Sequence, residues 1–445
     1  MEKIVNLKKN KGILFWAYSN PIKTIIIVAI LVRVLLFSLY QYVTIYPDSE
    51  DYIFLAKQML NFDLRGYNGG RSPGYPMLLC LADGMSVVTV VYQMIIGIVT
   101  LIFIYKTLLI INVKKNLALT ITLLFSCYIP TIFFEFAILT ESLTFLFVTL
   151  IFYTYFGITM QKRIGILSYL LLSLLCGYLV IIKPFYILIP VLLFVFLILH
   201  NSRFRTILSK YLFVLLFPLI LFLGWSYVNK ANTGYFVPTT FYGFNIAQNC
   251  VSFAENTTDE YKEIGCIYAK YRDKNIAEDH NTSMSIWDAY SELEAETGKP
   301  FPDLSKTLYD YSLTTIAMNP TDYFKQVFIS WCDFWKTSLY WEYDAVAHAN
   351  GALWLIAYAQ RVLFQLIKIL FVLFIPYNIV RYIRKRKYTP QFIISLTVLA
   401  ISLAQALVTY GTNSRFSFPF EMLMLTSLVM NYLSYKRGRR MKQKS

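Results

Sequence analysis

The chain has 445 residues, of which 57% are hydrophobic and only 15% are charged. A soluble protein of this size carries about 25% charged residues, so the composition excludes a soluble globular protein and predicts an all-α polytopic membrane protein. The formal net charge is +15. Because the basic residues concentrate in short segments between apolar stretches, membrane topology and attraction to anionic lipid explain this charge better than nucleic-acid binding does.

The basic segments define the predicted topology. Each carries Lys or Arg residues and almost no acid, so the positive-inside rule places all of them in the cytoplasm. They are Lys8–Lys11, Lys114–Lys115, Lys162–Arg163, Arg203–Lys210, Arg381–Lys387 and Lys436–Arg440. We therefore expect a multi-pass protein of the plasma (inner) membrane with both termini in the cytoplasm.

Apolar runs of the length that crosses a bilayer, about 20 residues, predict about ten transmembrane helices. They are expected at 22–40, 86–110, 117–134, 138–159, 165–182, 184–199, 211–229, 352–377, 391–409 and 416–434. The predicted division of the chain is an N-terminal transmembrane module over 1–230, an extracytoplasmic helical domain over 231–350, and C-terminal helices with a basic tail over 351–445. Arg33 lies inside the first span and must find a partner or an aqueous cavity there.

The stretch 41–76 follows the first span and combines three features. It opens with an acidic group of residues, Asp48, Glu50 and Asp51. Residues 52–61 then have one apolar and one polar face, which predicts a juxtamembrane helix lying flat on the bilayer surface. The stretch closes with the sequence Arg71-Ser72-Pro73-Gly74-Tyr75-Pro76. Residues 73–84 are apolar but too short to cross, so we expect a re-entrant or half-helical piece.

Residues 231–350 contain more acids than bases, which is the reverse of the predicted cytoplasmic segments. Helix-start signals at Thr258, Ser285 and Asp303 predict a small helical domain that packs over the 41–76 loop. Cys250 and Cys266 lie in this domain. A disulfide and two free thiols are both compatible with the sequence.

Arg71, Lys183 and Arg415 are lone cations, each expected at the outer membrane face beside a Pro or Gly turn. An Arg in such a position can grip a phosphate with two charge-assisted hydrogen bonds, and a cation stabilises a phosphate as it leaves. The alternative is that these side chains extend to lipid headgroups or cap a helix end. Three cations on one side of the membrane favour the phosphate interpretation.

The acidic group, the surface helix and the Arg-x-Pro-Gly-Tyr-Pro motif together resemble the first extracytoplasmic loop of GT-C-type membrane glycosyltransferases. This superfamily includes protein O-mannosyltransferases and the lipid A aminoarabinose transferase. Arg415-Phe416 with Pro419 and Glu421 resembles an element that opens a late span in these proteins, and Thr140-Glu141-Ser142-Leu143 is similar to another family element. The resemblance implies a GT-C-like fold and a polyprenyl-phosphate-linked sugar as donor.

The resemblance also implies residue roles. Asp48 would be the catalytic base that takes a proton from the acceptor, although an Asp before a helix also caps free N–H groups. Arg71, Lys183 and Arg415 would bind the donor phosphate.

Three further residues are candidates for substrate binding. Glu141 would orient Arg71 or contact sugar hydroxyls, and it is also suited to be the first-turn acid of a span. The other two are Tyr75, in the closing motif, and Asn245, in a segment similar to a Gly-x-Asn element of the family.

The sequence thus predicts an inverting membrane glycosyltransferase that moves a sugar from a polyprenyl-phosphate donor to a glycan, lipid or protein acceptor on the extracytoplasmic side. Alternatives are a transporter or flippase for lipid-linked sugars, and a polysaccharide polymerase or ligase. Nothing in the sequence requires a cofactor, since the cations can supply the positive charge, and a divalent metal is also compatible with the sequence. The lack of a glycine-rich phosphate loop fits a lipid-linked donor. The lipid bilayer is the other expected partner.

Overall fold

The computed structural model describes residues 12, 15–161, 165–200, 204–342, 350–411 and 413–442. This part of the chain consists of helices and connecting turns, without a β-strand and with one isolated bridge between Thr44 and Ala137. The all-α class is therefore confirmed for the described residues. The predicted basic segments at Lys8–Lys11 and Lys162–Arg163, together with Arg203, lie outside them.

The N-terminal helices follow the order expected from the sequence. Their bounds are α1 Pro21–Tyr40, α2 Pro47–Leu60, α3 Pro76–Leu81, α4 Ser86–Ile110, α5 Lys115–Ser126, α6 Ile129–Phe136, α7 Glu141–Met160, α8 Ile166–Ile182, α9 Leu188–His200 and α10 Phe204–Thr233. A 3-10 turn at Pro184–Ile187 separates α8 from α9. The predicted surface helix corresponds to α2, and the short piece at 73–84 corresponds to α3.

The domain that the sequence predicts to be extracytoplasmic, which we call the 231–350 domain, and the C-terminal helices complete the structure. Their bounds are α11 Tyr242–Gln248, α12 Lys262–Ala277, α13 Ser285–Asp288, α14 Tyr290–Thr297, α15 Phe301–Met318, α16 Pro320–Phe334, α17 Asn350–Lys385, α18 Pro390–Val408, α19 Asn413–Ser417 and α20 Glu421–Lys442. Helix starts predicted near Thr258, Ser285 and Asp303 are confirmed to within a few residues.

Six helices among the described residues are long and apolar enough to cross a membrane. They are α1, α4, α7, the part of α10 at Lys210–Thr233, the part of α17 at Gly351–Lys385, and α18. If α5 and α6 count as one broken span there are seven, and α8 and the helix over 184–199 are apolar but shorter. The structure therefore supports an all-α membrane protein, and the count of ten crossings stays a prediction.

The segment expected to be a span at 117–134 is bent. The helices α5 and α6 meet at 53° across a short break. Pro130 is the second residue of α6, and a proline removes a backbone donor and disfavours helix in the residue before it. Gln360 of α17 satisfies two backbone groups at the break. Its Oε1 accepts from the N–H of Ile129 at 2.7 Å, and its Nε2 donates to the carbonyl of Cys127 at 2.8 Å.

The broken span also provides the partner expected for Arg33. The guanidinium of Arg33 makes a two-point contact with Glu135, with Nε to Oε2 at 2.7 Å and Nη2 to Oε1 at 2.5 Å. Both side chains are buried. Gly97 on α4 leaves room for this pair, because a Cβ at that position would lie 1.9 Å from Glu135 Oε1.

The 231–350 domain packs on the loop between α2 and α3. Thr240 donates its N–H to the carbonyl of Gly69 at 3.0 Å and its hydroxyl to the carbonyl of Asn68 at 2.8 Å. The hydroxyl of Thr239 donates to the carbonyl of Gly70 at 2.7 Å. These contacts confirm the predicted packing of the domain over the 41–76 loop, and they hold the segment that carries Arg71.

Candidate functional site

Two carboxylates near the start of α2 share one side of the helix. Asp48 and Asp51 are three residues apart, so both side chains lie on one side of the helix. Ser49 performs the local capping role, since its hydroxyl accepts from the N–H of Tyr46 at 2.9 Å and donates to the carbonyl of Ile138 at 2.8 Å. This arrangement leaves the carboxylate of Asp48 available for side-chain contacts.

Arg71 reaches these carboxylates from the end of the loop. Its Nη2 lies 2.7 Å from Asp48 Oδ1 and 3.0 Å from Asp51 Oδ2. The guanidinium also lies between two aromatic rings, 4.8 Å from the centroid of Tyr52 and 4.5 Å from that of Phe241. Cation–π contacts of this kind fix the plane of the guanidinium. The 231–350 domain, through Phe241, thus helps to position a loop residue.

Three segments distant in sequence supply the other charged groups. Glu141 is the first residue of α7 and is fully buried, Lys183 follows the last residue of α8, and Arg415 lies in the short helix α19. Arg415 Nε donates to Glu141 Oε1 at 2.9 Å, and Lys183 Nζ donates to the same oxygen at 3.0 Å. Arg415 Nη1 lies 2.9 Å from Asp48 Oδ2.

These contacts form one continuous network, which we call the charged cluster. It contains three carboxylates and three cations, and every cation contacts at least one carboxylate. Its members are Asp48, Asp51, Arg71, Glu141, Lys183 and Arg415. The structure therefore brings together Asp48, the three predicted phosphate-binding cations and Glu141.

The ionisation of Asp48 follows from its two arginine partners. Burial raises the pKa of this carboxyl, but the guanidinium groups of Arg71 and Arg415 outweigh burial and hold the pKa well below its ordinary value. Ionised Asp48 therefore contributes stability at neutral pH, and this contribution is lost as the pH falls through the lowered pKa. A carboxylate with such a low pKa is a weak proton acceptor while both contacts persist.

Glu141 has different partners from the one expected. The sequence suggested that it orients Arg71, whereas its carboxylate binds Arg415 and Lys183. The physical reason is that α19 places Arg415 directly against the start of α7, where a buried carboxylate needs opposite charge. Glu141 thus orients two cations of the cluster, and its burial leaves no exposed surface for sugar hydroxyls.

The two remaining predicted residues lie outside the charged cluster. Tyr75 is fully buried, and its hydroxyl donates to Gln93 Oε1 at 3.1 Å while its ring packs edge-on to Tyr52. It acts in packing behind the cluster. Asn245 is half-buried on α11, one turn beyond Phe241. No ion pair or hydrogen bond between its side chain and the cluster occurs within the described ranges.

A second buried ion pair supports the segment that carries Arg415, and sequence reasoning missed it. Lys368 of α17 contacts Glu421 Oε1 at 2.8 Å, Ser417 Oγ at 2.7 Å and the carbonyl of Lys336 at 2.8 Å. All three ammonium donors therefore have acceptors. A lone lysine inside an apolar run was the available signal, because a buried membrane charge needs partners.

Aromatic and hydroxyl groups complete the surroundings of Arg415. The ring centroid of Tyr340 lies 5.4 Å from its guanidinium carbon, and Ser338 and Ser414 share a hydrogen bond of 2.6 Å between their hydroxyls. Beside the loop, Ser72 and Pro184 line a narrow crevice that has no room for a water molecule. The crevice adjoins the residues next to Arg71 and Lys183.

Other expectations concern cysteines and metals. Cys250 and Cys266 are both free thiols, the first buried and the second exposed, so the disulfide alternative is not realised. Within the described residues, His, Cys, Asp and Glu side chains form no group of three or more that could hold a metal ion.

Comparisons of this chain with protein-family models, with curated proteins and with solved structures found no match. The GT-C resemblance therefore depends on the motifs in the 41–76 loop and around Glu141 and Arg415, and it stays a prediction.

Proposed function

We propose that this protein is an integral membrane glycosyltransferase that moves one sugar from a polyprenyl-phosphate-linked donor to an acceptor, with inversion at the anomeric carbon. The observation that carries the proposal is the convergence of Arg71, Lys183 and Arg415 around Asp48 and Glu141, although the chain supplies them from five separate segments. Transfer of a sugar from a phosphate ester requires a cation that stabilises the leaving phosphate and a carboxylate that accepts the proton of the acceptor. The charged cluster contains both kinds of group.

The cations are suited to the donor phosphate. Arg71 and Arg415 each offer a planar set of N–H donors, and Lys183 adds the compact charge of its ammonium group to the same cluster. Every one of these groups already contacts a carboxylate, so an entering phosphate must share or replace those contacts. A phosphate oxygen that accepts from Arg415 Nη1 or Arg71 Nη2 takes a donor that Asp48 now uses.

The chemistry would then proceed in one displacement. The acceptor oxygen forms a bond to the anomeric carbon, the bond from that carbon to the phosphate oxygen breaks, and its electron pair leaves with the polyprenyl phosphate. The acceptor proton passes to a carboxylate. Asp48 becomes a better proton acceptor when the phosphate draws the arginines away, since its pKa rises toward the ordinary value as the guanidinium contacts weaken. Donor binding would therefore activate the base.

The test is to reconstitute the full chain in vesicles with a panel of polyprenyl-phosphate monosaccharides, and to measure donor binding and release of polyprenyl phosphate separately. Asp48→Asn keeps the side-chain shape and removes proton acceptance. We expect donor binding to persist and release to fall by about a hundredfold or more. Asp63→Asn is the matched control, because Asp63 lies in the same loop and pairs with exposed Arg65 rather than with the charged cluster.

Two results would count against the proposal. Full release activity in Asp48→Asn would remove Asp48 from the chemistry. Movement of intact donor between leaflets by the wild-type protein, without release of polyprenyl phosphate for any donor and acceptor in the panel, would favour a transporter.

A further inference from the structure

Helix α16 belongs to the extracytoplasmic domain in sequence, but it packs against a membrane span. Its side chains bond to the C-terminal end of α18. Tyr323 donates to the carbonyl of Leu407 at 2.8 Å, and Ser330 donates to the carbonyl of Thr409 at 2.7 Å. Since both ends of α16 meet the same turn of α18, the helix lies level with the end of that span.

Trp331 shows how far α16 reaches along the span. Its indole Nε1 donates to Ser402 Oγ at 3.0 Å. Ser402 precedes Val408, the last residue of α18, by about 9 Å of helix at 1.5 Å per residue. The side chain of Trp331 thus descends beside α18 to the depth where an interfacial helix buries its apolar face, about 5–10 Å.

The outward side of α16 is apolar and open. The exposed fractions of Phe324, Phe328 and Ile329 are 64%, 62% and 48%, and we call these three residues the α16 apolar face. The inward side holds Gln326, Ser330 and Phe334, all buried. This arrangement reverses that of a water-exposed helix, in which the apolar residues point inward.

The C-terminal end of α18, to which α16 bonds, also exposes apolar side chains. Leu403, Leu407 and Val408 at the end of that span are also exposed, at 46%, 43% and 43%. Because α18 has the length and hydropathy of a membrane span, we expect these residues to contact acyl chains. The α16 apolar face lies level with this end of α18, so we expect it to meet the same phase.

We propose that α16 is an interfacial helix whose apolar face is immersed in the membrane leaflet on the side of the extracytoplasmic domain. The partner is the boundary between lipid headgroups and acyl chains. Lys325 fits this position, because its exposed ammonium pairs with Asp322 at 2.8 Å and a lysine stem can cross apolar surface to reach the headgroups. The domain is thus attached to the leaflet by its own helix as well as by its flanking spans.

The experiment places single spin labels in the full chain reconstituted in phosphatidylcholine vesicles, after replacement of its six cysteines. Labels are attached at Phe328→Cys and Ile329→Cys on the α16 apolar face, and at Leu407→Cys as the lipid reference. Ile276→Cys is the matched control, because Ile276 is 59% exposed on α12 but stands alone among charged neighbours. Accessibility to oxygen and to a water-soluble nickel chelate is measured at each position.

We expect the labels at Phe328 and Ile329 to favour oxygen over the nickel chelate to the same degree as Leu407, and several-fold more than Ile276. Nickel accessibility equal to that of Ile276 would overturn the proposal. Loss of access to both reagents, with dipolar broadening between labels, would also overturn it by showing that a second copy covers this face. Phe324→Cys supplies a third position on the same face if either variant is poorly produced.

Discussion

Arg415 connects the part of the charged cluster around Asp48 to the part around Glu141. Its Nη1 contacts Asp48 and its Nε contacts Glu141, so one guanidinium spans carboxylates from α2 and α7. A lysine keeps the charge but ends in a single ammonium on a flexible stem, which cannot reproduce the fixed fork of donors. The role of Arg415 therefore depends on its shape as well as on its charge.

We expect Arg415→Lys to weaken donor binding while the protein stays folded. The loss of one charge-assisted hydrogen bond, worth about 1.5–3 kcal/mol, corresponds to an increase in the donor Kd of about tenfold or more. The measurement is equilibrium binding of a polyprenyl-phosphate monosaccharide in detergent. Arg65→Lys serves as the control, since Arg65 is 92% exposed in the same loop. An unchanged Kd in Arg415→Lys would assign Arg415 to structure alone.

At the scale of elements, the loop between α2 and α3 is fixed to the end of α8 at Gly74. The N–H of Gly74 donates to the carbonyl of Ile181 at 2.8 Å, and Tyr178 donates its hydroxyl to the carbonyl of Gly74 at 3.0 Å. A Cβ on Gly74 would lie 2.6 Å from backbone atoms of Ile181. This close approach sets the distance between Arg71 and Lys183.

Gly74→Ala should therefore displace the loop from α8. Backbone atoms cannot rotate away as a flexible side chain can, so we expect a lower melting temperature together with weaker donor binding. Gly224→Ala is the control, because a Cβ at that position in α10 meets nothing within 4 Å and alanine favours helix over glycine. A melting temperature for Gly74→Ala equal to that of the wild type would show that the loop tolerates the shift.

The contact between α17 and α20 leads to a second prediction at this scale. Lys368 and Glu421 are both almost fully buried, and removal of one member of such a pair costs about 3–5 kcal/mol. Lys368→Met alone and Glu421→Leu alone should each lower the melting temperature strongly. The double variant should recover much of the loss, because no unpaired charge is left buried. Additive losses in the double variant would contradict a direct coupling.

The same elements show what the sequence could predict. The sequence predicted the helix starts near Thr258 and Asp303 because capping and proline signals depend on only a few neighbouring residues. The bend between α5 and α6 was missed because a hydropathy window averages over Pro130. The partners of Glu141 were missed because Arg415 is 274 residues away in sequence. The pairing of each carboxylate with one of the three cations depends on how helices distant in sequence pack together. A local sequence pattern does not predict that packing.

At the scale of the whole molecule, the distribution of charge predicts the orientation in the membrane. Lys270 lies in the 231–350 domain, which is predicted to be extracytoplasmic, and Lys385 ends α17; both are exposed. In a variant without native cysteines, a membrane-impermeant maleimide added to intact cells should label Lys270→Cys and not Lys385→Cys. Permeabilised cells provide the control, since both positions should then react. External labelling of Lys385→Cys would refute the predicted topology.

The balance of the charged cluster determines how a ligand can arrive. Its three carboxylates and three cations cancel, so beyond a few ångströms the cluster exerts little long-range attraction on anions in water, and electrostatic steering does not raise their encounter rate. A donor that is already dissolved in the bilayer does not need such steering, because it searches in two dimensions at high local concentration. The initial rate of sugar transfer from a membrane-anchored donor should then depend only weakly on ionic strength. The charge of a water-soluble sugar phosphate should not speed its encounter with the cluster.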